Sequence, residues 1–138
     1  MVERADDLLA GDDAGRRRAR ITLDRAGSPA REARAFAVGA LRSWGWTDVE
    51  VAELLVSELA SNVVQHTPSR TVEVGVAERG VDRVRVEVVN EGIGDPTPQP
   101  PDPGRVGGHG LAVVGRLASG WGVRHEGDAT TVWFDLDR

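Results

Sequence analysis

The chain of 138 residues contains no cysteine and no lysine, and each absence excludes a class of chemistry. Without cysteine there can be no disulfide, no thiol nucleophile and no thiolate metal site. The seventeen basic residues are all arginine. The chain therefore lacks the phosphate-binding lysine of a Walker A loop and that of a eukaryotic-type protein kinase, and it cannot form a lysine Schiff base.

Long apolar runs are also missing, because no stretch approaches the length of a membrane span. The first twenty residues, MVERADDLLAGDDAGRRRAR, have no apolar segment after their charges and so do not resemble a secretory signal. The net charge of -5 and the isoelectric point near 5.2 argue against nucleic acid as a direct partner. We therefore expect a soluble, cytoplasmic protein that contacts neither membrane nor nucleic acid.

Hydrophobic periodicity and turn residues predict one domain over 16–138, preceded by a disordered tail over 1–15. Ser28 and Pro29 predict the start of a first helix, and Asp48 is predicted to cap a second helix that ends before Thr67-Pro68. A third helix is predicted over 111–120. Strands are predicted over 18–24, 71–78 and 82–90, and in a closing hairpin that turns at Gly127 and Asp128.

This order of elements predicts an α+β fold. Strands that follow one another as hairpins favour a mixed, mostly antiparallel sheet, with the helices on one face in a two-layer sandwich. Alternation predicts that Arg83, Arg85 and Glu87 face water while the intervening valines face the core. The residues predicted to face the core in the second helix and two of the strands are Ala52, Leu55, Val56, Leu59, Val63, Val84, Val86, Val88, Val132, Phe134 and Leu136.

The second predicted helix contains the stretch SELASNVVQH, in which polar side chains recur every four residues at Glu58, Asn62 and His66. Four residues is close to one helical turn, so the three side chains form a column at the border of the apolar face. A carboxylate there can act as a general base, and an amide oxygen can bind Mg²⁺. Ordinary surface helices also carry three polar residues on a flank, so the column alone does not indicate a site.

Two glycine-rich segments downstream make the pattern more specific. Asn90 ends a predicted strand, and Gly92 and Gly94 after it allow the backbone to approach a flat ligand closely. A stretch with five of the seven prolines follows, which is typical of a functional lid or a disordered segment. The sequence GGHG at 107–110 then runs into the third predicted helix, whose first N–H groups would attract an anion.

Taken together, these segments resemble the GHKL ATP-binding fold of histidine kinases, gyrase and mismatch-repair ATPases. More narrowly, they resemble the single-domain anti-sigma factor serine/threonine kinases of actinobacteria. The resemblance covers roughly residues 16–138. The N-box of the family resembles LLVSELASNVVQH, and the segment that reads adenine resembles VEVVNEGIGDP. The glycine-rich segment over the phosphates resembles VGGHGLAVVGRLA, and the terminal strand resembles DATTVWFDL.

The resemblance implies a role for each matching residue. Glu58 would be the catalytic base that polarises the incoming hydroxyl or water, and Asn62 would bind Mg²⁺ between the phosphates of ATP. The segment 95–108 would form the ATP lid, with Arg105 as its basic residue. The nucleotide-binding residues that the resemblance implies are Asn62, His66, Asn90, Gly92, Gly94, Arg105, Gly107, Gly108, His109, Gly110, Leu111, Thr130 and Thr131.

One position departs from the family pattern. The family usually has aspartate where this chain has Asn90. Aspartate accepts a hydrogen bond from the adenine amino group, whereas asparagine keeps one acceptor oxygen but loses the charge. Because charge-assisted hydrogen bonds are roughly twice as strong as neutral ones, we expect weaker ATP binding or looser base selectivity rather than an inactive site.

The resemblance implies an anti-sigma-factor-type serine/threonine-protein kinase. Such a protein binds a sigma factor, uses ATP and Mg²⁺, and phosphorylates an anti-anti-sigma protein with a STAS domain. Relatives often form dimers, so we expect a homodimer. The alternative is a GHKL-fold regulatory module that binds nucleotide weakly or does not catalyse transfer, and that acts through protein–protein contacts; Asn90 favours this alternative.

Two further alternatives are less consistent with the sequence. A histidine-kinase catalytic domain needs a phospho-accepting histidine upstream, whereas the three histidines lie within or after the N-box-like helix: His66, His109 and His125. A metalloenzyme that used these histidines is also less consistent with the sequence, because the spacing of the histidines matches no short metal-binding motif.

Overall fold

The computed structural model describes residues 2–4, 16–91 and 110–138, with side chains described over 16–91 and 114–138. The elements follow in the order β1 (Val2–Arg4), β2 (Arg18–Asp24), α1 (Pro29–Ser43), α2 (Glu50–His66), β3 (Thr71–Glu78), β4 (Arg83–Glu91), α3 (Gly110–Leu117), β5 (Gly120–Glu126) and β6 (Ala129–Asp137). Within the described residues, no helix is long and apolar enough to cross a membrane.

The strands form one sheet in the order β1-β2-β3-β4-β6-β5, and every pair of neighbours is antiparallel. Two hairpins close on glycines with positive φ, Gly80 at 125° and Gly127 at 59°, a conformation that residues with a Cβ rarely adopt. Strand β6 lies between β4 and β5, so the carboxyl-terminal strand is an interior strand of the sheet. The predicted α+β sandwich with its antiparallel pairing is confirmed.

A valine-rich core lies between the sheet and the helices. All the residues that the sequence predicts to face the core are buried, and Val84, Val86 and Phe134 are fully so. Full burial of a side chain of this size contributes roughly 1.5–3 kcal/mol. Because α2 contributes Leu55, Val56, Leu59 and other residues to this core, the helix is held firmly against the sheet.

The element boundaries agree with the sequence prediction to within two residues except at two places. Strand β1 lies inside the segment predicted to be a tail, where it pairs with β2 at the edge of the sheet; of 1–15, the structure describes only these three residues. Helix α3 ends at Leu117 and not at residue 120, because Gly120 already pairs with Asp135 between β5 and β6.

Two local predictions, for Asp48 and Glu87, were wrong, and that for Ser28 was right in position but not in its capping bond. Asp48 does not cap α2, which begins at Glu50 with Val49 in the N-cap position. Ser28 lies at the N-cap of α1, but its side chain makes no capping bond; the carboxylate of Glu32 instead accepts a hydrogen bond from the Ser28 backbone N–H at 3.0 Å. Glu87 does not face water, because it is 7% exposed and lies among arginines on the outer face of the sheet.

Candidate functional site

The column predicted on α2 lies near one end of the sheet. Glu58, Asn62 and His66 are half-buried, as expected at the border of an apolar helix face. Helix α2 ends a few residues before Thr71, the first residue of β3. Because β3 and β4 are antiparallel, the start of β3 lies beside the end of β4, which carries Asn90. The last turn of α2 and Asn90 therefore lie at the same end of the sheet.

Arg25 fixes the end of α2 and the loop that follows it. Its guanidinium donates hydrogen bonds to three backbone carbonyl oxygens, those of Val64 at 2.7 Å, Thr67 at 2.5 Å and Ser69 at 3.2 Å. The last carbonyls of a helix lack partners within the helix, and a positive charge there is favoured by the helix dipole. Arg25 thus holds the turn of α2 that carries His66.

Ser69 joins this loop to the end of β4. Its hydroxyl donates to the backbone oxygen of Thr71 at 2.7 Å and accepts from the backbone N–H of Glu91 at 3.1 Å. Thr67 anchors the same loop to the helix, because its hydroxyl donates to the Val63 carbonyl at 2.8 Å. The position of the α2 column relative to Asn90 is therefore set by a hydrogen-bonded loop as well as by core packing.

Asn90 is a buried amide without a partner among the residues that the structure describes. It is 1% exposed, and within those residues neither its Oδ1 nor its Nδ2 atom makes a hydrogen bond. Alternation along β4 places its side chain on the same face as Val88, toward the helices. An unsatisfied buried polar group costs about 1–3 kcal/mol, so a buried amide of this kind is expected to be satisfied by a ligand or an ordered water.

The structure distinguishes the two threonines predicted for the terminal strand. Thr130 pairs directly with Asn90, and so its side chain lies on the same face. Thr131, the next residue, lies on the opposite face of the sheet, because successive side chains of a strand alternate. The sequence segment alone could not distinguish them, since the choice depends on the register between β4 and β6.

His125 is a neighbour of this group that the sequence analysis did not include in the site. It pairs with Thr130 across β5 and β6, and its Nδ1 atom lies 3.1 Å from the Thr130 hydroxyl. Thr130 is 4% exposed, whereas His125 is exposed. The signal was present in the sequence, because a hairpin turning at Gly127 and Asp128 places residue 125 opposite residue 130.

Several predicted site residues cannot be placed. Those outside the described residues are Gly92, Gly94, Arg105, Gly107, Gly108 and His109, together with the whole predicted lid over 95–108. Gly110 and Leu111 begin α3, of which the backbone is described at these positions. Helix α3 packs against α2, and Val114 reaches the core.

The α2 column can bind a metal only together with other ligands. Within the described residues, no group of three or more histidine, aspartate or glutamate side chains could hold a metal ion. Over the same residues, no hydrogen bond or ion pair occupies the side chains of Glu58 and Asn62. An amide oxygen that supplements phosphate and water ligands is compatible with Mg²⁺, which is rarely held by an all-protein cage.

Comparison with known proteins agrees with the fold. The family of the histidine kinase-like ATPase domain matches residues 26–136. Among solved structures, the fold is similar to "The crystal structure of the RsbU and RsbW domains of Rv1364c from Mycobacterium tuberculosis", with a TM-score of 0.68 and 24% identity. The match covers 88% of this chain and 32% of that one, so this chain spans about a third of its length. No curated protein matches the sequence significantly.

Proposed function

Because this chain belongs to the histidine kinase-like ATPase domain family, we propose that it is an ATP-dependent serine/threonine-protein kinase of the anti-sigma-factor type. Family membership implies ATP binding. The observation that carries nucleotide binding to this chain is the buried amide of Asn90, which has no partner among the described residues and lies at the same end of the sheet as the last turn of α2. The resemblance of the chain's segments to anti-sigma factor kinases, and its likeness in fold to a chain with an RsbW domain, support the kinase type.

The described residues divide into a base-binding group and a phosphate-binding group. Asn90 and Thr130, on the helix-facing side of the sheet, would contact the nucleotide base, with His125 holding the Thr130 hydroxyl. Asn62 and His66 on α2 would face the phosphates. Mg²⁺ held by Asn62 would neutralise charge on the phosphate oxygens. The lid segment and its glycines would complete the phosphate site.

Glu58 would act as the general base for phosphoryl transfer. It would accept the proton of the substrate serine or threonine hydroxyl while that oxygen forms a bond to the terminal phosphorus. The bond between this phosphorus and the bridging oxygen breaks, and ADP leaves. Glu58 is half-buried, and within the described residues no ion pair holds it, so its carboxylate is available for this role.

The partners would be a sigma factor and an anti-anti-sigma protein with a STAS domain, the latter as phosphate acceptor. We further propose that the chain works in the cytoplasm as a homodimer, as its resemblance to anti-sigma kinases implies. These proposals concern the whole molecule in its setting, and they rest on the resemblance of the N-box and glycine-rich segments rather than on a described contact.

The catalytic role is tested by comparing Glu58→Ala with Glu53→Ala. Glu53 lies on the same helix but is exposed, which makes it a matched control. We expect Glu58→Ala to lower phosphate transfer from ATP to the cognate STAS protein by about 100-fold or more while ATP still binds, because a positioned base contributes roughly 10²–10⁴ in rate. Glu53→Ala should transfer phosphate normally. Transfer by Glu58→Ala at the wild-type rate would remove Glu58 from this role.

The second candidate function is a non-catalytic regulatory module. The neutral amide at Asn90, where the resembling family has a carboxylate, favours this reading. It predicts a saturable rise in melting temperature with Mg-ATP, since a ligand that binds only the folded state stabilises it, but no transfer to any STAS protein tested. Detectable transfer that depends on Glu58 would exclude this candidate.

A further inference from the structure

The Asn90 amide makes no hydrogen bond to the neighbouring side chains that the structure describes. The Thr130 hydroxyl, on the strand opposite, is 3.1 Å from His125 Nδ1. The Ser69 hydroxyl already donates to the Thr71 carbonyl and accepts from the Glu91 N–H. Both heteroatoms of the Asn90 amide are nevertheless buried. The amide is therefore placed to bond a group other than the described residues, such as a ligand.

An amide offers a different hydrogen-bonding edge from that of a carboxylate. An ionised carboxylate only accepts hydrogen bonds, whereas an asparagine side chain carries one acceptor oxygen and one donor NH₂ group. Rotating the amide by 180° exchanges these two atoms in space. Because no described residue holds either atom, Asn90 can present either orientation to a ligand without breaking a hydrogen bond to that part of the chain.

The two orientations match the two kinds of purine. At positions 6 and 1 of the ring, a 6-aminopurine presents a donor and an acceptor, whereas a 6-oxopurine presents an acceptor and a donor. One orientation of an amide can pair with the first edge and the rotated orientation with the second. A carboxylate facing position 6 would accept from an amino group but would repel a carbonyl oxygen.

We propose that Asn90 makes this site accept 6-oxopurine nucleotides, such as inosine and guanosine triphosphates, as well as ATP. This inference rests on the proposed function, because it requires that the site bind a nucleotide base at Asn90. Asn90 is then the specificity-determining residue, and the chain is a purine nucleotide-binding protein with relaxed base selectivity.

The cleanest test compares ATP with inosine triphosphate, because the two differ only at positions 6 and 1 of the base. Titration calorimetry with each Mg-nucleotide is carried out on the wild-type chain, on Asn90→Asp and on Gln65→Glu. The last variant makes the same amide-to-carboxylate change at an exposed position of α2 and controls for the added charge. We expect wild type and Gln65→Glu to bind the two nucleotides with dissociation constants within about threefold.

For Asn90→Asp we expect a preference for ATP of about tenfold or more, since one hydrogen bond is lost and a like partial charge is introduced against the 6-oxo group. A wild-type preference for ATP of about tenfold or more, unchanged in Asn90→Asp, would overturn the inference and leave the proposed function intact. Failure of wild type to bind either nucleotide would overturn both. The ratio of the wild-type dissociation constants for ATP and inosine triphosphate tests the inference even if Asn90→Asp does not fold.

Discussion

Gly122 lies against the indole ring of Trp133 on the outer face of the sheet, where a Cβ would come within 2.9 Å of the ring atom Cζ2. On β4, which flanks β6 on the other side, the Arg85 guanidinium stacks 3.9 Å from the centroid of the same ring. Arg85 is itself held by two hydrogen bonds to Asp135, at 2.7 and 3.0 Å. The ring is therefore confined from two sides, and the absence of a side chain at residue 122 is required.

We expect Gly122→Ala to lower the free energy of unfolding by about 1–3 kcal/mol, because the ring and the arginine stacked on it must shift. The control is Gly39→Ala in α1, at an exposed position where a Cβ meets nothing within 4 Å. That change should raise the free energy of unfolding by roughly 0.5–1 kcal/mol, because alanine favours a helix over glycine. Urea unfolding measures both. Equal effects of the two substitutions would refute the packing account.

At the scale of elements, the position of α2 depends on a residue far from it in sequence. Arg25 follows β2 and donates to three carbonyls at and beyond the end of α2. This contact joins the second strand to the helix that carries the proposed base and the proposed phosphate contacts. The packing of α2 on the core fixes its sheet-facing side, whereas Arg25 fixes its carboxyl-terminal end.

We expect Arg25→Ala to lower the free energy of unfolding by about 1.5–3 kcal/mol, the range for hydrogen bonds to charged groups, and to weaken ATP binding by loosening the turn with His66. Arg25→Lys keeps the charge but not the planar fork, and so should recover only part of the loss. Arg70→Ala, at an exposed position nearby, should change neither property. If Arg25→Ala lowered the stability but left the affinity for ATP unchanged, the hydrogen bonds of Arg25 would contribute to the fold and not to nucleotide binding.

How far the sequence predicts these elements follows from the range of the interactions involved. The bounds of β2 and β3, the core face of α2 and the half-buried column of Glu58, Asn62 and His66 are set by local periodicity, and all were predicted. The choice of Thr130 over Thr131 depends on register between two strands, and the contact of Arg25 depends on chain folding. Neither leaves a periodic signal in the sequence.

At the scale of the whole molecule, the outer face of the sheet explains why Glu87 was misread. Alternation correctly placed Glu87 on the face of β4 that points away from the core valines, but it does not indicate whether that face is exposed to solvent. Arg20 lies between two carboxylates, 3.4 Å from Glu73 and 3.2 Å from Glu87, and Arg124 approaches Glu87 at 3.7 Å. These charged side chains, which come from β2, β3, β4 and β5, pack against one another. This face of the sheet is therefore polar but partly shielded from solvent.

Another ion pair lies at the edge between β2 and β3, and its arginine also contacts the helix layer; the pair makes the stability of the molecule depend on pH. Arg17, just before β2, donates to Glu78 at the end of β3 at 3.1 and 2.9 Å, and also to the Trp44 carbonyl after α1 at 3.1 Å. The side-chain hydrogen bond from Arg17 holds the pKa of Glu78 below its ordinary value. The folded state therefore favours the ionised form of Glu78 more than the unfolded state does.

A carboxyl group whose pKa is lowered by folding stabilises the folded state above its unfolded pKa, near 4.5 here. That contribution is lost as the pH falls through the lower folded value. We expect Glu78→Gln to lower the melting temperature at pH 7, and the difference from wild type to shrink steadily as the pH is lowered from about 5 to about 3. In an Arg17→Ala background the same change at Glu78 should give a smaller pH-dependent difference, because the hydrogen bond that lowers the pKa of Glu78 is then absent. If the Glu78→Gln difference were the same at both ends of this range, the bond from Arg17 would stabilise the fold through its geometry alone, and the charge of Glu78 would contribute nothing.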